Sequence, residues 1–126
     1  YGLAPLGRVV AYAQAEVTPK WLFLAPIEGV RALERKTGIA ATDYDLVEVN
    51  EAFAAQVLAD GRELGLDWSR VNVNGGAVAL GHPLGCTGAK LVTQILHEMA
   101  RRGSRYGLVT MCVGGGMGAA GIFERL

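Results

Sequence analysis

The sequence has no excess charge of either sign: twelve Lys and Arg stand against twelve Asp and Glu in 126 residues, a formal net charge of zero. A nucleic-acid or anionic-membrane partner needs a basic face, so neither is expected. Cysteine is scarce. Cys86 and Cys112 are too few for a disulfide scaffold, and both sit among glycines, which points to a reducing, cytoplasmic setting. Serine occurs only at Ser69 and Ser104, neither in a G-x-S-x-G turn, so a serine hydrolase is excluded. Long apolar runs are missing too. Val71–Ala89 and Gly107–Phe123 lack charged residues, but five and six glycines interrupt them, and a spanning helix needs about 20 mostly apolar residues. No signal peptide is visible. The first residue is Tyr1 rather than Met, so a fragment or processed product is expected.

What is present is a globular composition, 51% hydrophobic and 19% charged, with room for one domain over residues 1–126. Glycine, at eighteen residues, is about twice as frequent as in ordinary chains. Arg8–Val17 reads as a strand stopped by Thr18-Pro19, and Pro26 opens a helix with an Ile27, Val30, Leu33 stripe that ends at Gly38. Leu46–Val49 is a short strand. A helix is expected over Glu51–Leu64 and a second short extended segment over Val71–Asn74. The clearest helix is Ala89–Arg102, with Val92, Ile95, Leu96 and Met99 on one stripe and Gly103 beyond it. Tyr106–Val113 and Gly118–Glu124 read as an antiparallel pair. Strands alternating with helices indicate a layered α/β domain, whose ligand crevice lies outside the carboxyl ends of the strands. Asn50, Gly75-Gly76 and Cys112 fall at such ends.

Three segments carry candidate chemistry: Asn50-Glu51-Ala52-Phe53-Ala54, the run from Asn74 through Gly81-His82-Pro83 to Gly88, and Cys112-Val113-Gly114-Gly115-Gly116-Met117-Gly118. Each also has a plain structural reading, since Gly-rich turns often only let backbone pass backbone and a free Cys is usually a small buried hydrophobe. Gly114-x-Gly116-x-x-Ala119 resembles a dinucleotide fingerprint, but seven residues after Ala119 leave no room for its helix or acidic partner. The phosphate loop G-x-x-x-x-G-K-[ST] is not matched around Gly88-Ala89-Lys90. His82 and Cys86 have no second pair at ligand spacing, so no metal is expected. Acid–base and oxyanion chemistry survives. His82 is held between Gly81 and Pro83 on a stiff turn. Cys112 precedes three glycines whose amides can form an anion nest and lower a thiol's pKa. Asn50 offers an amide that orients a water or carbonyl without titrating.

These three motifs, spaced 32 residues from Asn50 to His82 and 30 from His82 to Cys112, resemble the C-terminal signatures of the thiolase family. The flanking Asn72–Lys90 and Arg105–Glu124 extend the resemblance over nearly the whole chain. It implies the C-terminal part of an acyltransferase that interconverts two acyl-CoA molecules with a 3-ketoacyl-CoA and CoA through an acyl-cysteine. By this resemblance His82 activates the nucleophilic thiol and helps form an oxyanion hole, and Asn50 holds the water that is its other donor. Cys112 moves the α-proton, and the Gly114 N–H serves the oxyanion of the tetrahedral intermediate. Phe53 and Met117 shape the substrate pocket. No cofactor is implied, because coenzyme A is part of the substrate.

The implied nucleophilic Cys lies in a missing N-terminal half, as do most CoA-binding residues, and Cys86 does not replace it. A homo-oligomer, dimer or tetramer, is implied. The expected fold is α/β, a thiolase-like layered fold with a mixed sheet packed by helices but lacking its first strand. With a family order of 3-2-1-4-5, that loss implies a gap in mid-sheet. The alternative is a non-catalytic, thiolase-like module or truncated lobe that acts only by assembly. Cys86-Thr87-Gly88 after Gly-His-Pro-Leu-Gly leans toward degradative, fatty-acid-metabolising members.

Overall fold

β-Branched and small residues from Gly7 to Glu16 form the first strand, β1, which ends where Thr18-Pro19 breaks the ladder. The computed structural model describes residues 2–126. A 3-10 segment, Pro19–Leu24, leads into helix α1 (Ala25–Thr37), which has Pro26 in its first turn and a left-handed Gly38 as its stop. Strand β2 (Leu46–Val49) follows, then α2 (Ala54–Glu63), a single turn α3 (Ala77–Leu80) and the long α4 (Thr87–Arg102). The hairpin of β3 (Tyr106–Gly114) and β4 (Met117–Arg125) closes the chain.

The strands form one mixed sheet in the order β1-β4-β3-β2. β2 runs parallel to β3, whereas β4 is antiparallel to both β3 and β1. Every neighbouring pair is hydrogen-bonded, so the gap expected from a lost central strand is absent. The 10-residue β1 lies at one edge against β4, and the sheet's middle is built wholly from this chain. The expectation fails because it carried over a strand order from the resemblance, whereas here the long-range pairings β1 with β4, β4 with β3 and β3 with β2 make the sheet continuous.

Alternation along β3 sends successive side chains to opposite faces. Leu108 joins Ile27, Val30 and Leu33 of α1, Val57 of α2 and Val49 in one cluster. Val109 joins Leu91, Ile95 and Met99 of α4 and Leu46 in the other. Burying each of these large side chains contributes about 1.5–3 kcal/mol. The sheet is thus held between α1 with α2 on one face and α4 on the other.

Two local expectations are corrected. The segment Glu51–Phe53 is not helical, and Phe53 is extended at φ −145°. The Glu51 carboxylate accepts from Asn72 Nδ2 and from the Val78 backbone N–H, both at 2.9 Å, which holds the chain out of the helix. Residues 71–74 do not make a strand. Only Val71 bridges β2, at Val47, and Asn72 then turns left-handed at φ 46°. Its side-chain amide takes over the pairing, accepting from Val49 N and donating to Val49 O, each at 2.9 Å. The ladder is continued by a side chain, and this fixes the backbone one residue before Asn50.

Candidate active site

The carboxyl ends of parallel strands β2 and β3 lie side by side, and each leads into one of the sequence motifs. After Val49 the chain enters Asn50, whose backbone N–H donates to Thr110 O at 2.9 Å, so Asn50 continues the ladder onto β3. Two residues past Thr110 stands Cys112. A bulge follows it, and Gly114 takes φ +117°, a conformation in which a side chain would be strained. The third segment comes from the loop between α2 and α4. Gly76 passes so close to the Glu51 carboxylate that a Cβ there would overlap it, and the single turn α3 then delivers Gly81-His82-Pro83.

His82, Cys112 and Gly114 line one cavity of about 520 Å³, together with Phe53 and Phe23. The remaining walls come from Leu22, Ala52, Leu84, Met111 and Val113, so among the described residues no Asp, Glu, Lys or Arg lines it. Phe23 and Phe53 meet edge to face, with ring centroids 5.1 Å apart. Asn50 is almost wholly buried, and its Nδ2 lies 3.4 Å from His82 Nε2. On the other side of the ring, Nδ1 lies 2.7 Å from Thr87 Oγ1. Asn50, His82, Cys112, Gly114 and Phe53 are therefore brought together. Met117 is not, because it starts β4 opposite Glu16 and Gly114 and does not line the cavity. Gly75 and Gly76 support the site from behind, where Gly75 O accepts from Gln94 Nε2 at 3.1 Å.

The electrostatics correct one expectation. Burial pushes the Cys112 thiol up rather than down, the lowering effect of a backbone hydrogen bond is smaller, and the Asp60 carboxylate raises it further. A half-buried thiol in an apolar cavity is a neutral proton donor near pH 7, not a resident thiolate. Asp60 is itself fully buried on α2, bonded to Gln56 Nε2, and burial pushes its carboxyl up to about 6. Glu48, on β2, is pushed up to about 7 by burial, against the lowering effect of Lys90. Asn50 Oδ1, Asp60 Oδ1 and Glu48 Oε2 are buried without a hydrogen-bond partner among the described residues. Cys86 is exposed and does not line the cavity.

Sequence reasoning missed Thr87, the Gln56–Asp60 pair and Phe23. Thr87 had a faint signal, its four-residue spacing from Pro83, which suits a hydroxyl bonding back by one helical turn. Phe23 had none, because the 3-10 segment that carries it reaches the site only through tertiary packing. Among the described residues no three His, Cys, Asp or Glu side chains are grouped to hold a metal, and no helix is long and apolar enough to cross a membrane.

A cavity at the carboxyl ends of β2 and β3, with an imidazole, a neutral thiol and a buried amide, holds groups able to transfer a proton beside an oxygen that gains charge. Comparison with known proteins gives this class a family. The family model for the thiolase C-terminal domain matches residues 3–125, and the chain belongs to the thiolase family. It is 52% identical over 123 residues to a 3-ketoacyl-CoA thiolase of Bacillus subtilis (strain 168), covering 98% of this chain and 32% of that protein. It is 51% identical over 125 residues to an acetyl-CoA acetyltransferase of Shinella zoogloeoides, covering 99% and 32%. The crystal structure of the Bacillus anthracis acetyl-CoA acetyltransferase superposes with a TM-score of 0.95 at 49% identity, over 99% of this chain and 32% of that one. The chain thus spans about a third of the length of the relatives it matches.

Proposed function

We propose that this chain forms the C-terminal catalytic part of a thiolase that exchanges acyl groups between acyl-CoA and CoA and makes or breaks the carbon–carbon bond of a 3-ketoacyl-CoA. The observation that carries this reading is the meeting of His82, Cys112 and Gly114 in one apolar cavity, with Asn50 against the imidazole. In the first half-reaction His82 takes the proton of a cysteine thiol supplied by the rest of the polypeptide. That sulfur attacks the thioester carbonyl, and CoA leaves with the proton. In the second, Cys112, a neutral thiol at rest, first gives up its proton to the medium and as thiolate takes the α-proton of another acyl-CoA. The enolate attacks the acyl-cysteine, and the sulfur released takes a proton back from the medium. Running backward, thiolysis needs Cys112 to protonate the departing carbanion, and a thiol raised by burial is in the right form for it. The buried, unpartnered Asn50 Oδ1 supports a role in holding a water that donates to the thioester oxygen. Phe53 and Phe23 contact the acyl group.

The partners in this reading are an acyl-CoA, the N-terminal part of the same polypeptide, and further copies in a dimer or tetramer in the cytoplasm. An apolar groove of about 180 Å³ between α4 and the sheet, walled by Tyr12, Val92, Val109, Met111 and Phe123, is where the N-terminal part packs. Relatives three times longer supply enough chain to cover it. One observation favours a second reading, a lobe that acts only through assembly: among the described residues no thiol other than Cys112 lines the cavity.

Thiolysis of acetoacetyl-CoA, measured on the complete polypeptide and on residues 1–126 alone, separates the two. The first reading expects turnover by the complete protein and none by residues 1–126. A complete protein without turnover would overturn the first. Turnover by residues 1–126 would overturn both and point to Cys86.

A further inference from the structure

We infer that Thr87 is the positioning residue for His82, fixing its imidazole with the proton on Nδ1 and leaving Nε2 bare toward Asn50 and the cavity. The inference rests on the reading of His82 as the base. Thr87 is the first residue of α4 and is almost completely buried. Its Oγ1 lies between two partners, Pro83 O at 3.0 Å and His82 Nδ1 at 2.7 Å. Pro83 O, which also accepts from the Cys86 and Thr87 backbone N–H groups at 2.8 and 3.0 Å, can only accept, and in the inferred arrangement the hydroxyl proton goes to it as well. The hydroxyl lone pairs then face Nδ1, and that contact is a hydrogen bond when Nδ1 carries the proton.

The other side of the ring agrees independently. The group 3.4 Å from Nε2 is the Asn50 amide nitrogen, a donor. Against it a bare Nε2 accepts, whereas a protonated Nε2 would set donor against donor. Both contacts fit one tautomer, in which the Nε2 lone pair meets only the long 3.4 Å contact with Asn50 and can exchange it for a thiol proton. Once Nε2 has taken that proton, Nδ1–H keeps its acceptor in Thr87, and the ring does not have to turn to hold the charge. Nε2–H then becomes a donor for the thioester oxygen. Because Thr87 begins a helix whose Leu91, Ile95 and Met99 are buried in the core, its hydroxyl is anchored by packing that the cavity does not disturb.

Nitrogen-15 NMR of the imidazole, with His82 assigned by the loss of its signals in His82→Asn, tests this on the complete enzyme. The neutral ring is expected to show a protonated Nδ1 and a bare Nε2 in the unmodified enzyme and in Thr87→Ser, and mixed tautomers in Thr87→Val. Thr87→Val is expected to lower kcat by roughly 10- to 100-fold, a part of what a general base supplies, at nearly constant KM. Thr87→Ser is expected to restore kcat to within about threefold. A protonated Nε2 in the unmodified neutral ring would overturn the inference, and so would a Thr87→Val enzyme with unchanged tautomer and kcat. The first readout needs no substitution, so a Thr87→Val protein that fails to fold leaves it decisive. An unmodified enzyme without thiolysis would overturn the proposed function instead, and the ring signature would still decide the tautomer.

Discussion

The two ends of the sheet treat buried charge in opposite ways. At the end where β3 begins, Glu124 is nearly buried yet gripped by Arg8 Nη2 at 2.5 Å and Arg105 Nε at 2.8 Å, and these guanidiniums hold its carboxyl below the usual range. Asp45 accepts from the Arg105 and Tyr106 N–H groups at 2.8 and 2.9 Å. At the other end, around the cavity, Asn50, Asp60 and Glu48 keep buried oxygens without partners, and burial raises both carboxyls. Tyr44, whose buried hydroxyl is also unpartnered, is the exception at the far end of β2. Leaving such groups unmatched costs stability. The difference teaches that one end pairs its buried charge, while the other leaves buried polar oxygens unmatched next to the proposed site.

The sharpest way to break this comparison is at the imidazole. His82→Ala in the complete enzyme is expected to lower turnover by a factor of at least about 10³, because base and oxyanion donor are lost together. Near-normal kcat would remove His82 from the mechanism. Asn50→Ala is expected to cost less, about 10- to 1000-fold, since a water stays partly ordered without its amide. A loss equal to that of His82 would show that Asn50 does more than hold a water.

The comparison is also a statement about pH. A carboxyl raised by burial favours the folded state while protonated, and that contribution is lost as pH rises through its folded value. Asp60, pushed up to about 6, therefore destabilises the protein above that pH. Asp60→Asn is expected to raise stability at pH 8 by about 2–3 kcal/mol and to change it little near pH 4, as denaturant unfolding at the two pH values will show. An equal gain at both would mean that packing, not charge, governs Asp60. Glu124 has the opposite sign: its ion pairs favour folding above the ordinary carboxylate range, and the benefit is lost as pH falls. Glu124→Gln is expected to have the smallest effect, a slight fall in melting temperature that high salt erases, with turnover within about twofold of normal. A large loss of turnover would contradict the contrast between the two ends.

Much of the fold was legible in the sequence. Helix stops at Gly38 and Gly103, the alternating strands and the stripe of α4 are local patterns, and the structure reproduces them. At the site, the motif residues Asn50, His82 and Cys112 stood out in the sequence for their residue types beside Gly-rich turns, and the structure brings them together. What was not legible depends on distant partners. The carboxylate of Glu51 unwinds the expected helix start through Asn72 and Val78, contacts more than twenty residues away. Sheet order escaped for the same reason. The direction of the Cys112 shift was misread because glycine amides were weighed without the apolar walls of Phe23, Leu22 and Met111, which only the fold brings there.

The most direct test of the central claim, that His82 and Cys112 serve two different steps in one cavity, is single-turnover kinetics of Cys112→Ser in the complete enzyme. In the proposed reading, acylation by a reactive acyl donor uses the supplied cysteine with His82, whereas carbon–carbon bond formation or cleavage also uses Cys112. The account predicts acylation within about threefold of normal and condensation slowed by at least about 10²-fold, the range of a lost general acid–base group. A parallel fall in both steps would contradict it.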